Sequence, residues 1–147
     1  MGRIEFSINL SASAHNLIKL GTDYENFPKY FPNIQSVRIL EKNDKETITE
    51  EVLVFSTIIK NKIKQRAIHK QISENELYTE ITSGPAKGTV ITAVYEKIDD
   101  GTKVIMSIDL KLSLKAKFLQ PFIKKMYRSV LTGILYKMNT AALDIQN

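Results

Sequence analysis

The sequence predicts an α+β domain in which a curved antiparallel sheet of about seven strands wraps around one long C-terminal helix, with two short helices after the first strand. Three observations predict it. From Ala116 to Gln146 apolar residues recur at helical spacing, among them Phe118, Leu119, Phe122, Ile123, Met126, Tyr127, Val130 and Leu131;. Between Ile34 and Ser113 the period changes to two, in segments separated by turn signals;. Successive hairpins make an antiparallel sheet, and a single long stripe makes one helix packed on its concave face.

Ile4, Phe6, Ile8 and Leu10 alternate with Arg3, Glu5, Ser7 and Asn9, which is a strand with one buried face;. Ser11 or Ser13 can cap a short helix over Ala14 to Thr22;. The next ten residues, Asp23 to Pro32, hold Tyr24, Phe27, Tyr30, Phe31, Pro28 and Pro32 and read as a short helix between corners with its aromatics turned inward;. Strands follow over Val37 to Glu41, Glu46 to Ser56, Asn61 to Ile72, Leu77 to Thr82, Thr89 to Ile98 and Thr102 to Ser113. Lys42-Asn43-Asp44-Lys45 and Asp99-Asp100-Gly101 are hairpin turns, the second because glycine accepts the positive φ such turns require;. At 1.5 Å per residue the final helix extends roughly 40 Å, across the whole domain. Pro121 lacks an N–H, so that helix starts or kinks near it;. Gly133 is costly in mid-helix, which points to a close backbone approach, a pliable point or tight packing against a strand;.

A chain of 147 residues, 43% hydrophobic and 25% charged, makes a single domain spanning 1–147;. The absence of cysteine excludes disulfides, thiolate ligands and a cysteine nucleophile, and fits a reducing compartment;. No apolar run reaches transmembrane length and no signal peptide is legible, so the expected location is cytoplasmic. The net charge of +5 permits weak attraction to nucleic acid, ribosomes or anionic lipid;.

Three stretches resemble the helix-grip superfamily of START and pollen-allergen-like domains, also described as polyketide cyclase/dehydrase-like or SRPBCC domains. Within it the coenzyme Q-binding START-like proteins are the nearest likeness. Asp23-Tyr24-Glu25-Asn26-Phe27-Pro28-Lys29-Tyr30-Phe31-Pro32 is similar to that group's D-x-E-x-Y-P-x-F-L-P segment, Gly84-Pro85 with Lys87 to its G-P-F-K loop, and Ile108-Asp109-Leu110-Lys111-Leu112 to its I-D-F-E-F strand. The likeness spans nearly the whole chain. Ala86 stands where the group has Phe, and Ala93 where it usually has Trp, two reductions in volume that enlarge or reshape a cavity.

The resemblance implies a ligand cavity between sheet and final helix. Its expected lining is Phe6, Ile8, Phe27, Tyr30, Phe31, Phe55, Tyr95, Met106, Ile108, Phe122, Met126, Tyr127 and Val130, each of which fits solid core equally well;. Tyr30, Tyr95 or Tyr127 would fix a ligand's orientation. No catalytic constellation, cofactor motif or metal-ligand spacing is present. His15 and His69 read as surface or satisfied histidines, Asp109 as solvated, and Glu50 and Glu51, being adjacent, as pointing to opposite faces;. Gly84-Pro85-Ala86-Lys87-Gly88 reads as a cavity-mouth loop or a plain turn. The favoured function is binding or carriage of a lipid-, quinone- or polyketide-like molecule. A cyclase or dehydratase, or a ribosome- or protein-interacting module, is the alternative. The basic residues Lys60, Lys62, Lys64, Arg66 and Lys70 belong to the second alternative, and Lys117, Lys124, Lys125 and Arg128 to transient membrane contact;. Neither the ligand nor the oligomeric state is specified.

Overall fold

The period-two segments pair into one sheet. In the computed structural model, which describes residues 2–55 and 59–146, the strands are β1 (Arg3–Leu10), β2 (Ile34–Lys42), β3 (Thr47–Phe55), β4 (Ile59–Ser73), β5 (Glu76–Ile81), β6 (Val90–Ile98) and β7 (Gly101–Asp109). They form a seven-stranded sheet in the order β1-β7-β6-β5-β4-β3-β2, each neighbouring pair antiparallel. Sequential hairpins give all of this order except the β1–β7 pairing, in which Phe6 faces Met106 and Ile4 faces Ile108. Register shifts in the β2–β3, β3–β4 and β4–β5 ladders mark bulges, which bend the bulged strand and increase its twist;.

The helices lie where the sequence places them. Helix α1 (Ala14–Gly21) is capped by Ser13, whose hydroxyl accepts from the Asn16 amide at 3.2 Å, and a 3-10 helix over Tyr24–Lys29 follows. A second 3-10 helix, Leu114–Leu119, leads into α2 (Gln120–Gln146), so Pro121 sits in the first turn of α2, where its missing N–H costs nothing;. Strand β7 ends at Asp109, four residues before the expected end at Ser113. Beyond it the chain leaves the ladder: the Leu110 amide donates to the Gly2 carbonyl at 2.7 Å and the Ser113 amide to the Pro85 carbonyl at 2.8 Å.

The solid core sits at one end of the sheet. Leu10, Leu17, Val104 and Ile108 are buried there with Leu131, Ile134, Leu135, Met138 and Ala142 from the second half of α2. Polar ties close the same end. The Ala12 amide donates to Asn139 Oδ1 at 2.8 Å, and buried Thr102 donates its hydroxyl to the Ala12 carbonyl at 2.7 Å.

Two expectations for the final helix need correction. Periodicity puts Phe118 and Phe122 in its inward stripe, yet they are 78% and 48% exposed. In the 3-10 segment residues three apart share a face, so Ala116 and Leu119 turn inward and Phe118 outward. In α2 Phe122 lies about 140° round the axis from the inward Tyr127. Gly133, expected to face a close neighbour, is instead solvent-exposed, and a Cβ built on it meets nothing within 4 Å.

Since no packing or φ requirement holds that glycine, Gly133→Ala should stabilise the fold by about 1 kcal/mol, read as a higher denaturation midpoint. A lower midpoint would show that the helix needs the glycine's freedom there.

Candidate functional site

The first half of α2 crosses the sheet without filling the space beneath it. The gap is a cavity of about 240 Å³. Ile123, Met126, Tyr127 and Val130 of α2 form its roof; Leu53, Ile63, Ile81 and Ile91 form its floor; Phe31, Pro32, Pro85, Ala86, Ala116 and Leu119 stand at its sides. A smaller recess of about 90 Å³ lies alongside, with Phe31, Thr79, Ile91, Leu131 and Ile134 common to both.

The walls are apolar apart from Asn33, Tyr127 and the edge of one cluster, built by strand alternation, of which Glu51, Gln65 and Thr79 reach the lining. Thr47, Thr49 and Glu51 of β3 turn inward, as do Gln65 and His69 of β4 and Thr79 of β5. Gln65 stands directly opposite Glu51 in the ladder, and its Nε2 donates to Glu51 Oε2 at 2.8 Å. His69 is 3% exposed, stacks on Tyr24 with ring centroids 4.1 Å apart, and binds Thr49 Oγ1 through Nε2 (2.9 Å) and Thr79 Oγ1 through Nδ1 (2.8 Å). Glu51 Oε1 lies 3.9 Å from His69 Nε2. Among the described residues no buried side-chain N or O lacks a hydrogen-bond partner.

Desolvation sets the charge states. It pushes the His69 pKa down to about 4, so the imidazole is neutral at pH 7 and its contact with Glu51 is not an ion pair;. The Glu51 carboxyl is raised, chiefly by burial, with hydrogen bonds from Gln65 and Thr49 acting the other way. Tyr127 is raised by burial and by the nearby Glu51 charge, and its hydroxyl is a neutral donor. Burial also lifts Tyr24 and Tyr95 to about 12.

The thirteen residues expected to line the cavity separate into groups. Phe31, Met126, Tyr127 and Val130 border the larger cavity, and Phe27, Tyr95 and Met106 the recess, which Phe31 shares. Phe6 and Ile108 are solid core, with Ile8 and Tyr30 packed against it, because α1 and the second half of α2 close that end of the sheet. Phe122 faces solvent, and the side chain of Phe55 lies outside the described residues. Sequence reasoning misses Glu51, Gln65 and Thr79. The available signal is register: Glu51 shares its face with Thr47, Thr49 and Leu53, which puts three polar residues on the face turned toward the helix;. Glu50, next to it, faces out and pairs with Arg38 at 3.1 Å and Arg66 at 3.7 Å.

The remaining candidates lie elsewhere. Lys62, Lys64, Arg66 and Lys70 are exposed on β4; Lys70 Nζ lies 6.0 Å from the Tyr78 ring centroid on β5, and Lys60 is outside the described side chains. His15 and Asp109 are exposed. Pro85 and Ala86 of the glycine-flanked loop stand at the cavity wall, with Gly84 and Gly88 at φ of 90° and 95°. Ala93, the other small residue, borders the recess. Among the described residues no group of three or more His, Cys, Asp or Glu is placed to hold a metal, and no helix is long and apolar enough to cross a membrane.

A family model described as polyketide cyclase/dehydrase and lipid transport matches residues 10–139. No curated protein matches the sequence. Among solved structures the chain is similar to a protein of Thermus thermophilus (16% identity, 99% of each chain, TM-score 0.81). It is also similar to the Zhui aromatase/cyclase of Streptomyces sp. R1128 (10% identity, 99% of this chain and 95% of that one, TM-score 0.82). A third similar structure is a START superfamily protein of Mycobacterium smegmatis (14% identity, 97% and 98%, TM-score 0.78). At these identities the likeness is one of fold, and it agrees with the expected helix-grip architecture.

The buried histidine has a measurable signature. Its pKa falls from 6.5 to about 4 on folding, so the unfolded chain takes up a proton that the folded chain refuses. His69 stabilisation is thus complete above pH 6.5 and is lost as pH falls toward 4, by roughly 3 kcal/mol in full. Glu51 has the opposite sign: its raised carboxyl favours the fold at low pH and loses that contribution as pH rises above 4.5 through its folded value;. Denaturant titrations from pH 7 to pH 4 should show His69→Gln with a flatter acid limb than the parent. Equal slopes would sink the assignment.

Proposed function

The chain belongs to the polyketide cyclase/dehydrase and lipid transport family, and we propose that within it this protein binds and carries a hydrophobic small molecule in the space under α2. The observation that carries the reading is the 240 Å³ cavity, apolar on nearly every side and supplied with a few convergent polar groups at one wall;. Burial of hydrocarbon there is worth about 0.8 kcal/mol per CH₂, less the cost of immobilising the ligand. Lipid-, quinone- and polyketide-like molecules all fit this description. Ala86 and Ala93 leave room on the two sides where the coenzyme Q-binding group carries aromatic rings. The lack of cysteine is compatible with the reducing cytoplasm as the site of action;.

A dehydratase activity, or a cyclase activity such as the name of the Zhui aromatase/cyclase states for that protein, calls for an acid or base facing the substrate;. Glu51 faces the cavity, but His69 has both ring nitrogens engaged and lines neither space. This favours carriage over catalysis. The exposed β4 lysines are a weaker basis for a ribosome or nucleic-acid partner, because they lie on the face turned away from the cavity and Arg66 is already paired with Glu50;.

A specific observation favours loading and unloading at a membrane. Leu114 and Phe118 are 86% and 78% exposed, and with Phe122 they form an outward row on the same segments whose inner face closes the cavity. Exposed Lys115, Lys117 and Lys125 interleave with them, and the sequence has no acidic residue from Leu110 to Leu143. An apolar row flanked by lysines suits the interface of an anionic bilayer.

Two measurements test these readings. Val130→Trp, which places an indole in the cavity, should reduce Nile red uptake at least tenfold with little change in thermal midpoint; undiminished uptake would remove the cavity from the account. The double variant Leu114→Asp, Phe118→Asp should lose sedimentation with phosphatidylglycerol vesicles while still binding Nile red. Unchanged sedimentation would refute the membrane-facing row.

A further inference from the structure

The polar wall of the cavity narrows the ligand class, an inference that rests on the carrier reading above. Of its polar groups, two are already committed. Gln65 Nε2 donates to Glu51, and the Thr79 hydroxyl is bound to His69 Nδ1. Three more border the space: Glu51, which accepts from Gln65 and Thr49 and has carboxylate lone pairs to spare, the Tyr127 hydroxyl and the Asn33 side-chain amide;. Glu51 is an acceptor and, at 6% exposure, sits in a low-dielectric setting; Tyr127 is a donor;. Among the described residues neither cavity is lined by Lys, Arg or His.

We propose that the cavity selects neutral amphiphiles whose head group is a hydroxyl, an alcohol or a phenol, and discriminates against those that end in a carboxylate. A hydroxyl matches the wall on both sides, donating to Glu51 and accepting from Tyr127. A carboxylate finds neutral donors in Tyr127 and the Asn33 amide but no cation, and a second carboxyl beside it. Two such groups in one apolar space cannot both stay ionised without a large penalty. A quinone, which only accepts, makes no use of the Glu51 carboxylate. Burial already raises Glu51, and a ligand carboxylate brought next to it would be raised by the same desolvation. The basic residues around the cavity do not reverse this, since none of them reaches the lining.

The test compares two probes that share a chain and differ in the head group: 1-decanol and decanoate, competing with Nile red for the full chain at pH 8. Decanol should compete at least tenfold more strongly. In Glu51→Gln, which keeps the shape and removes the charge, decanoate should come within about threefold of decanol. Decanoate competing as well as decanol against the parent protein would overturn the head-group selection while leaving the cavity reading intact. Failure of both probes in a chain that also takes up no Nile red would overturn both. The comparison on the parent protein stands even if Glu51→Gln folds poorly.

Discussion

The structure depends on a helix that is packed along only part of its length. Leu131, Ile134, Leu135, Met138 and Ala142 close against α1, β1 and β7, and Asn139 ties that half to the Ala12 amide. Four to five buried aliphatic side chains at about 1.5 to 3 kcal/mol each hold one end firmly in place. A 27-residue helix anchored in this way must project its other half over the sheet. Ile123, Met126, Tyr127 and Val130 then face a floor they do not fill, so the cavity follows from the helix's length and from where it is fixed.

An apolar cavity with a carboxyl in its wall is stable only if that carboxyl is supported. The ladder supplies the support: Gln65 is directly opposite Glu51, and His69, one inward position beyond Ala67, brings Thr49 and Thr79 together. Both imidazole nitrogens are occupied and the ring is covered by Tyr24, which is the arrangement expected of a neutral histidine used as a spacer between hydroxyls;. The cluster is therefore mostly self-satisfied. What it leaves at the ligand space is the Glu51 carboxyl, to which Tyr127 adds a hydroxyl and Asn33 an amide.

Strands and helices are legible in the sequence because their periods differ and because turn chemistry separates them; Asn43 accepts from the Lys45 and Glu46 amides as an Asx turn does, at 2.8 and 3.0 Å;. The site is legible only in part. Alternation assigns a face, so His69 falls correctly with Ile63 and Ala67, but no spacing announces that hydroxyls from β3 and β5 will meet its ring. Periodicity also cannot distinguish core from cavity wall: Ile108 and Met126 carry the same signal, and only the closing of one end by α1 separates them. Phe118 and Phe122 are misassigned for a different reason. A 3-10 turn ahead of Pro121 shifts the phase of the stripe, so a 3.6-residue period carried back through it turns Phe118 the wrong way, while Phe122, within α2, lies about 140° from the inward Tyr127;.

The electrostatics inside and outside the cavity have opposite sign, and this gives the proposed functions a common logic. The rim residues Lys115, Lys117 and Lys125 would attract an anionic surface, yet their charge stops at the outer face of the segments whose inner face carries Ala116, Leu119, Ile123 and Met126. Inside, the ionisable wall group is a carboxyl. A protein drawn to anionic lipid would gain nothing by extracting that lipid, because the head group would leave a basic rim for a wall that repels it. A neutral hydroxylated molecule dissolved in the same bilayer meets neither obstacle, since the rim is indifferent to it and the wall can accept its proton. On the proposed reading, attraction to the membrane and choice of cargo are governed by separate residues, and selection by charge falls on the cavity, not on the proposed docking surface.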